Sequence, residues 1–98
     1  MAIAKLTMPE IQAALEKLPG WQLAAGKLHR EYLFPDFSFA FGFMATAATI
    51  AEKMNHHPEW LNVYNRVTVD LTTHDAGGIT AKDAALAAKL EEIAKKLQ

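Results

Sequence analysis

Three of the four histidines in this chain are candidates for proton transfer: His56, His57 and His74. Imidazole titrates near neutrality, so it can both accept and donate protons at cellular pH. His56 and His57 stand side by side ahead of Pro58, which biases His57 toward an extended backbone. The pair therefore belongs at a helix-to-strand junction. His74 follows an alternating, strand-like run, where its ring can reach over a sheet edge. If those two ends meet, three imidazoles converge on one mouth, and Trp60 and Tyr64 could supply a flat aromatic wall for a planar heterocycle. On spacing alone two other readings stay open. His56 and His57 could complement the dipole at a helix C-terminus. The trio could also hold zinc with an open position, although adjacent histidines cannot share the i, i+4 face of a helix.

The carboxylates nearby carry the same ambiguity. Thr80-Ala81-Lys82-Asp83 has the layout of a capping box, with Asp in place of Glu or Gln. Asp83 is thus a helix cap, a support for the site, or both. Glu52 reads as a solvated helix residue that could also orient His56. Gly77-Gly78 lacks the strand and helix context of a phosphate loop and reads as a turn needing positive φ.

The elements that must position these groups follow from periodicity. Thr7 and Glu10 form a capping box, with Leu6 and Ile11 placed as a hydrophobic staple. Ile11, Ala14, Leu15 and Leu18 share one helix face, and Pro19-Gly20 stops it. Trp21–Ala24 and Leu28–Phe34 read as strands joined by a turn at Ala25-Gly26. Asp36 or Ser38 caps a second helix running to about Asn55. Phe39, Phe43, Ile50 and Met54 form one apolar stripe on it, and Ala40, Met44, Ala47 and Ala51 a second. Such a helix must be covered on more than one side, which predicts a subunit interface. From Trp60 to Thr73, Leu61, Val63, Val67, Val69 and Leu71 share one parity, the signal of a half-buried sheet. Asn65-Arg66 breaks the run into two strands. Thr80 caps a last helix with Leu86, Leu90, Ile93 and Leu97 as its core stripe. The order α-β-β-α-β-β-α predicts an α+β fold: a four-stranded antiparallel sheet with three helices packed on one face.

Size and charge narrow the function classes. A chain of 98 residues is read as a single domain, 1–98. The net charge of −1, with no basic cluster, predicts binding to neither nucleic acid nor an anionic membrane. The absence of cysteine excludes disulfides, thiolate metal sites and a cysteine nucleophile. Met1-Ala2-Ile3-Ala4-Lys5 lacks the long apolar core of a signal peptide, and the uncharged stretch from Phe37 to Ala51 is short for a membrane span. A cytoplasmic protein is the expectation.

One resemblance joins these features. The run from Glu52 through His56-His57-Pro58-Glu59-Trp60, then Asn62-Val63-Tyr64-Asn65, Thr73-His74-Asp75, Gly78-Ile79-Thr80 and Asp83, resembles the pterin-4a-carbinolamine dehydratase family. That family's pattern is an acidic residue, three positions, His-His-Pro, an aromatic, a His and an Asp. Glu52, His56, His57, Pro58, Tyr64, His74 and Asp83 fill it in order. Phe41-Gly42-Phe43-Met44 is similar too, and the likeness covers nearly the whole chain. One departure is Asn55, where some relatives carry Asp.

The resemblance implies dehydration of 4a-hydroxytetrahydrobiopterin to the quinonoid dihydropterin, a step in recycling the pterin of aromatic amino-acid hydroxylases. It implies His56, His57 and His74 as catalytic residues, and Trp60, Asp83 and Glu52 as substrate-binding or pocket-shaping ones. No metal and no redox cofactor is implied. A homodimer or homotetramer is expected. Some animal members also bind a transcription factor's dimerisation helix, which gives an alternative role as a dimerisation cofactor acting through the surface of the second helix.

Overall fold

The computed structural model describes residues 3–98. Met1 and Ala2, at the head of the segment read for a signal peptide, lie outside the described residues. The first helix, α1 (Met8–Glu16), starts as expected. Thr7 accepts from the Glu10 amide, the Glu10 side chain accepts from the Thr7 amide, and Pro9 occupies the first turn. The α-helix ends at Glu16, short of Pro19. Single-turn bonds from Leu18 to Leu15 and from Trp21 to Leu18 carry the chain onward.

Strands β1 (Gln22–Ala24) and β2 (Lys27–Leu33) form a hairpin. Its two turn residues, Ala25 and Gly26, both have positive φ, +52° and +76°. Positive φ at both positions matches the right-handed twist of the strands, but Ala25 takes it without glycine's freedom. Asp36 caps α2 (Phe37–Met54) by accepting from the Phe39 amide. Strands β3 (Glu59–Val63) and β4 (Arg66–Leu71) follow, then one turn of 3₁₀-helix at His74–Ala76 and α3 (Ala81–Leu97). The sheet is antiparallel throughout, in the order β1-β2-β4-β3, so β3 is an edge strand.

The helices cover one face of this sheet. Leu28, Tyr32, Val67, Val69 and Leu71 are fully buried beneath Phe43, Ala47, Leu86 and Leu90. The opposite face carries Lys27, Glu31, Arg66, Thr68 and Asp70, none of them buried. Glu91 of α3 fastens helix to sheet: Oε1 accepts from Trp21 Nε1 at 2.8 Å, Tyr32 Oη at 2.6 Å and Arg30 Nε at 3.3 Å.

The sheet corrects one expectation. Leu61 and Val63 do not share a face with Val67, Val69 and Leu71. The break falls at Tyr64-Asn65, and the register pairs Val63 with Arg66 and Leu61 with Thr68. A two-residue turn pairs residues of opposite parity, so a continuous odd-numbered run changes face at the hairpin. Leu61 and Val63 are accordingly 64% and 51% exposed, whereas Val67 and Val69 are fully buried. On α2, Ala40, Phe43, Ala47 and Ala51 are buried, and Met44, Ile50 and Met54 pack partly against the core. Phe39, expected in the first stripe, is exposed together with Phe37 and Phe41.

Candidate active site

The C-terminus of α2 launches the first two histidines. Asn55 adopts the left-handed conformation (φ 51°, ψ 42°). Its amide donates to the Glu52 carbonyl and the next amide, of His56, donates to the Ala51 carbonyl, both at 3.1 Å. This is the pair of bonds that ends a helix in a Schellman motif. Asn tolerates that conformation better than most residues, so the departure at Asn55 is compatible with the helix ending it must form. The reversal turns His56 inward, where the residue is 9% exposed, while His57 stays exposed ahead of Pro58.

His74 is presented by a different device. Thr73 and Gly78 form an isolated bridge, with Thr73 N donating to Gly78 O at 2.9 Å, and close a four-residue loop. Gly77 ends its single 3₁₀ turn with φ +75°; Gly78 does not share the positive φ.

One buried carboxylate joins the two segments. Asp83 is fully buried. Oδ1 accepts from His56 Nε2 at 2.5 Å; Oδ2 accepts from Thr73 Oγ1 at 2.7 Å and from the Thr80 amide at 2.9 Å. The last bond completes the capping box of α3. Asp83 therefore caps a helix, holds His56 and anchors the residue before His74.

Each of the three imidazoles meets a carboxylate through Nε2. His56 has Asp83, His57 has Glu52 Oε1 at 2.9 Å, and His74 has Glu59 Oε2 at 3.1 Å. An ionised carboxylate only accepts, so Nε2 is the protonated nitrogen in each pair and Nδ1 is left for other partners. Among the described residues no buried side-chain nitrogen or oxygen lacks a hydrogen-bond partner.

A cavity of about 270 Å³ lies where these elements meet. Its wall includes His56, His57 and His74, together with Thr73, Asp75 and Lys82. Cavities for drug-sized ligands run roughly 300–1,000 Å³, so this one suits a small guest. The wall is mostly polar and holds both donors and acceptors.

The other residues singled out in the sequence lie elsewhere. Asp83 is behind His56, not in the wall. Glu52 meets His57, not His56. Trp60 pairs with Val69 and is partly buried against the core. Tyr64 sits at the tip of the β3–β4 hairpin, 63% exposed, five residues from Glu59 and so roughly 16 Å along an extended strand. The aromatic wall expected from Trp60 and Tyr64 does not form around the cavity. Glu59, Thr73 and Lys82 went unassigned. Thr73 had a signal: it shares parity with Val67, Val69 and Leu71, and a polar residue on a core-facing register needs a partner. Among the described residues no group of three or more His, Asp or Glu side chains is placed to hold a metal ion.

The fold and the site define a class. The family model for pterin 4 alpha carbinolamine dehydratase matches residues 4–93. A relative from Solibacter usitatus (strain Ellin6076) that bears the family's name is 67% identical, over 92% of this chain and 95% of that one. Another, from Rhodopseudomonas palustris (strain BisB18), is 54% identical over 97% of this chain and 96% of its own. A crystal structure described as a transcriptional coactivator/pterin dehydratase from Brucella melitensis superposes with a TM-score of 0.89 at 51% identity, covering 92% of this chain and 98% of that one. A pterin dehydratase-like protein identified as a RuBisCO assembly factor in the alpha-carboxysome shares the fold alone, at 20% identity and a TM-score of 0.63, over 76% of this chain and 86% of that one. The chain belongs to the pterin-4a-carbinolamine dehydratase family.

Proposed function

We propose that this chain dehydrates a 4a-hydroxytetrahydropterin, with 4a-hydroxytetrahydrobiopterin as the reference substrate, by proton transfer through imidazoles. An acid protonates the hydroxyl on C4a, the C4a–O bond breaks and water leaves. A base takes the N5 proton, and the electron pair of that N–H bond forms the C4a=N5 double bond of the quinonoid dihydropterin. The proton gained by the base balances the one given to the hydroxyl, and no electrons are exchanged with a cofactor. His56 and His74 are the acid–base pair in this reading, and His57 holds the pterin and its hydroxyl. Positioned acid–base groups contribute about 10²–10⁴-fold each. Asp83 acts by holding His56, and Glu52 by holding His57.

The observation that carries the proposal is the convergence of His56, His57 and His74 on one cavity in a chain of this family. The test is turnover of synthetic carbinolamine by His56→Ala and His74→Ala, with folding verified by circular dichroism. Each variant is expected to lose at least about 10²-fold in kcat. Rates near wild type in both folded variants would refute the roles.

A cytoplasmic setting and a link to an aromatic amino-acid hydroxylase belong to this proposal. Among the described residues no helix is long and apolar enough to cross a membrane.

A second reading concerns the surface of α2. Phe37, Phe39 and Phe41 are 49%, 42% and 57% exposed, and the Phe37 and Phe41 rings lie against each other at 6.0 Å. The paired Phe37 and Phe41 rings on one side of α2, with Phe39 exposed on another, favour self-association into a dimer or tetramer. The same surface would serve the dimerisation-cofactor role, and the Brucella melitensis relative is described as a coactivator as well as a dehydratase. Sedimentation of wild type against Phe41→Glu tests assembly: a fall in mass supports it, and an unchanged mass removes it. A pull-down run beside the pterin assay separates adaptor from enzyme.

A further inference from the structure

We infer that Glu59 is a positioning residue for His74, itself held by Lys27, so that a chain of three side chains sets the angle at which the His74 ring enters the cavity. The inference rests on the dehydratase reading and adds residues to it. Glu59 opens the edge strand β3, directly after Pro58, and lies opposite Asp70 in the register. Its two oxygens are divided between two partners. Oε1 accepts from Lys27 Nζ at 2.5 Å, and Oε2 accepts from His74 Nε2 at 3.1 Å. Lys27 stands on β2 and reaches Glu59 across β4. Lys27 first, and His74 after it, hold the Glu59 carboxyl below the ordinary carboxylate range, which keeps it an acceptor toward the imidazole.

The geometry of His74 shows what such a partner does. The Thr73–Gly78 bridge fixes where the backbone of residue 74 lies, but it leaves the side-chain torsions free. The His74 side chain is 79% exposed, and its ring hydrogen-bonds the Glu59 side chain. His56 needs no such help, because burial and Asp83 already hold it. Exposed ion pairs contribute little to stability, so the role of this chain is orientation. Placement errors of about 1 Å can cost 10²-fold in rate.

The test is steady-state dehydration of synthetic 4a-hydroxytetrahydropterin by Glu59→Leu, Glu59→Gln, Lys27→Met and His74→Ala, and by Glu59→Leu combined with His74→Ala. Glu59→Leu is expected to lower kcat about tenfold with KM within about twofold, since it removes orientation and not binding. Glu59→Gln keeps an acceptor oxygen and recovers most of that loss. Lys27→Met costs about two- to threefold. In the His74→Ala background Glu59→Leu costs nothing further, because the pair acts through the ring that is gone. Wild-type kcat in Glu59→Leu beside a slow His74→Ala overturns this inference and leaves the dehydratase reading standing. A Glu59→Leu loss that persists in full without the imidazole also overturns it, by showing a merely structural role. A wild-type rate in His74→Ala removes the acid–base role of His74 and this inference with it, whereas no turnover by the wild-type protein removes the dehydratase reading itself.

Discussion

Replacing Asp83 with Asn isolates the contribution of the buried carboxylate to the chemistry. The side chain is fully buried and receives three donors: His56 Nε2, Thr73 Oγ1 and the Thr80 amide. Asp83→Ala would leave His56 Nε2 and the Thr80 amide unpaired, Thr73 Oγ1 keeping only Thr80 Oγ1 at 2.8 Å, and remove the partner of a buried pair, at about 3–5 kcal/mol. A small domain holds only about 5–15 kcal/mol in total, so that variant confounds folding with function. Asn is the sharper tool. Its carbonyl can take the place of Oδ2 and keep both Thr73 and the α3 cap, while its NH₂ replaces Oδ1 and faces His56. The ring must then present Nε2 as an acceptor and move its proton to Nδ1. The expected stability loss is the difference between a charge-assisted and a neutral arrangement, about 1–3 kcal/mol. For a domain of this size that is a fall in Tm of about 4–8 °C per kcal/mol. The rate loss is larger in proportion, because a catalytic imidazole held in the wrong tautomer loses about 10²–10⁴-fold. Stopped-flow absorbance of carbinolamine dehydration gives the rate, and ¹⁵N NMR of the His56 ring gives the tautomer. A folded Asp83→Asn protein with Nε2 still protonated and kcat within twofold of wild type would refute the reasoning.

Three further outcomes follow from the fold. Ala25→Asn relieves a left-handed backbone at an alanine and should raise stability by about 0.5–1 kcal/mol in urea melts; destabilisation would contradict the turn assignment. Burial first, then the Glu91 carboxylate, push the Tyr32 phenol above its ordinary range. A raised folded-state value means this stability is present below about pH 10, the ordinary tyrosine value, and is lost as pH climbs beyond it. Wild type should therefore weaken steeply in alkaline melts, and Tyr32→Phe should flatten that limb while losing about 1–2 kcal/mol at neutral pH. Leu61→Thr should change stability by no more than about 0.5 kcal/mol, whereas Leu71→Ala should cost about 2–5 kcal/mol; comparable losses would restore the single-face reading of residues 61–71.

What the sequence revealed depended on how local the governing physics is. Capping is local, so Thr7 with Glu10 and Thr80 with Asp83 were legible as pairs three residues apart, and both boxes form. The element order was legible for the same reason. The two faces of β3 and β4 were not, because parity was counted through a turn that reverses it. Burial on α2 was legible for Phe43 and the alanines; Phe37, Phe39 and Phe41 remain about half exposed. At the candidate site, the histidines announced themselves by type. The carboxylates behind two of them are long-range facts: Glu59 and His74 are fifteen residues apart, and Asp83 and His56 twenty-seven, whereas Glu52 and His57 are five apart. Motif spacing marked Asp83 but not whether it faces a ligand or a ring, and that distinction needed the burial of its oxygens. Trp60 was read from its aromatic type and its place in the family's run, while the register turns it toward the core.

The most direct measurement is a crystal structure of this protein soaked with a stable dihydropterin analogue. The bicycle is expected in the cavity between His56, His57 and His74, with C4a and N5 within hydrogen-bonding reach of the His56 and His74 rings. An analogue that binds only elsewhere on the protein, or leaves all three imidazoles untouched at saturating concentration, would contradict that placement.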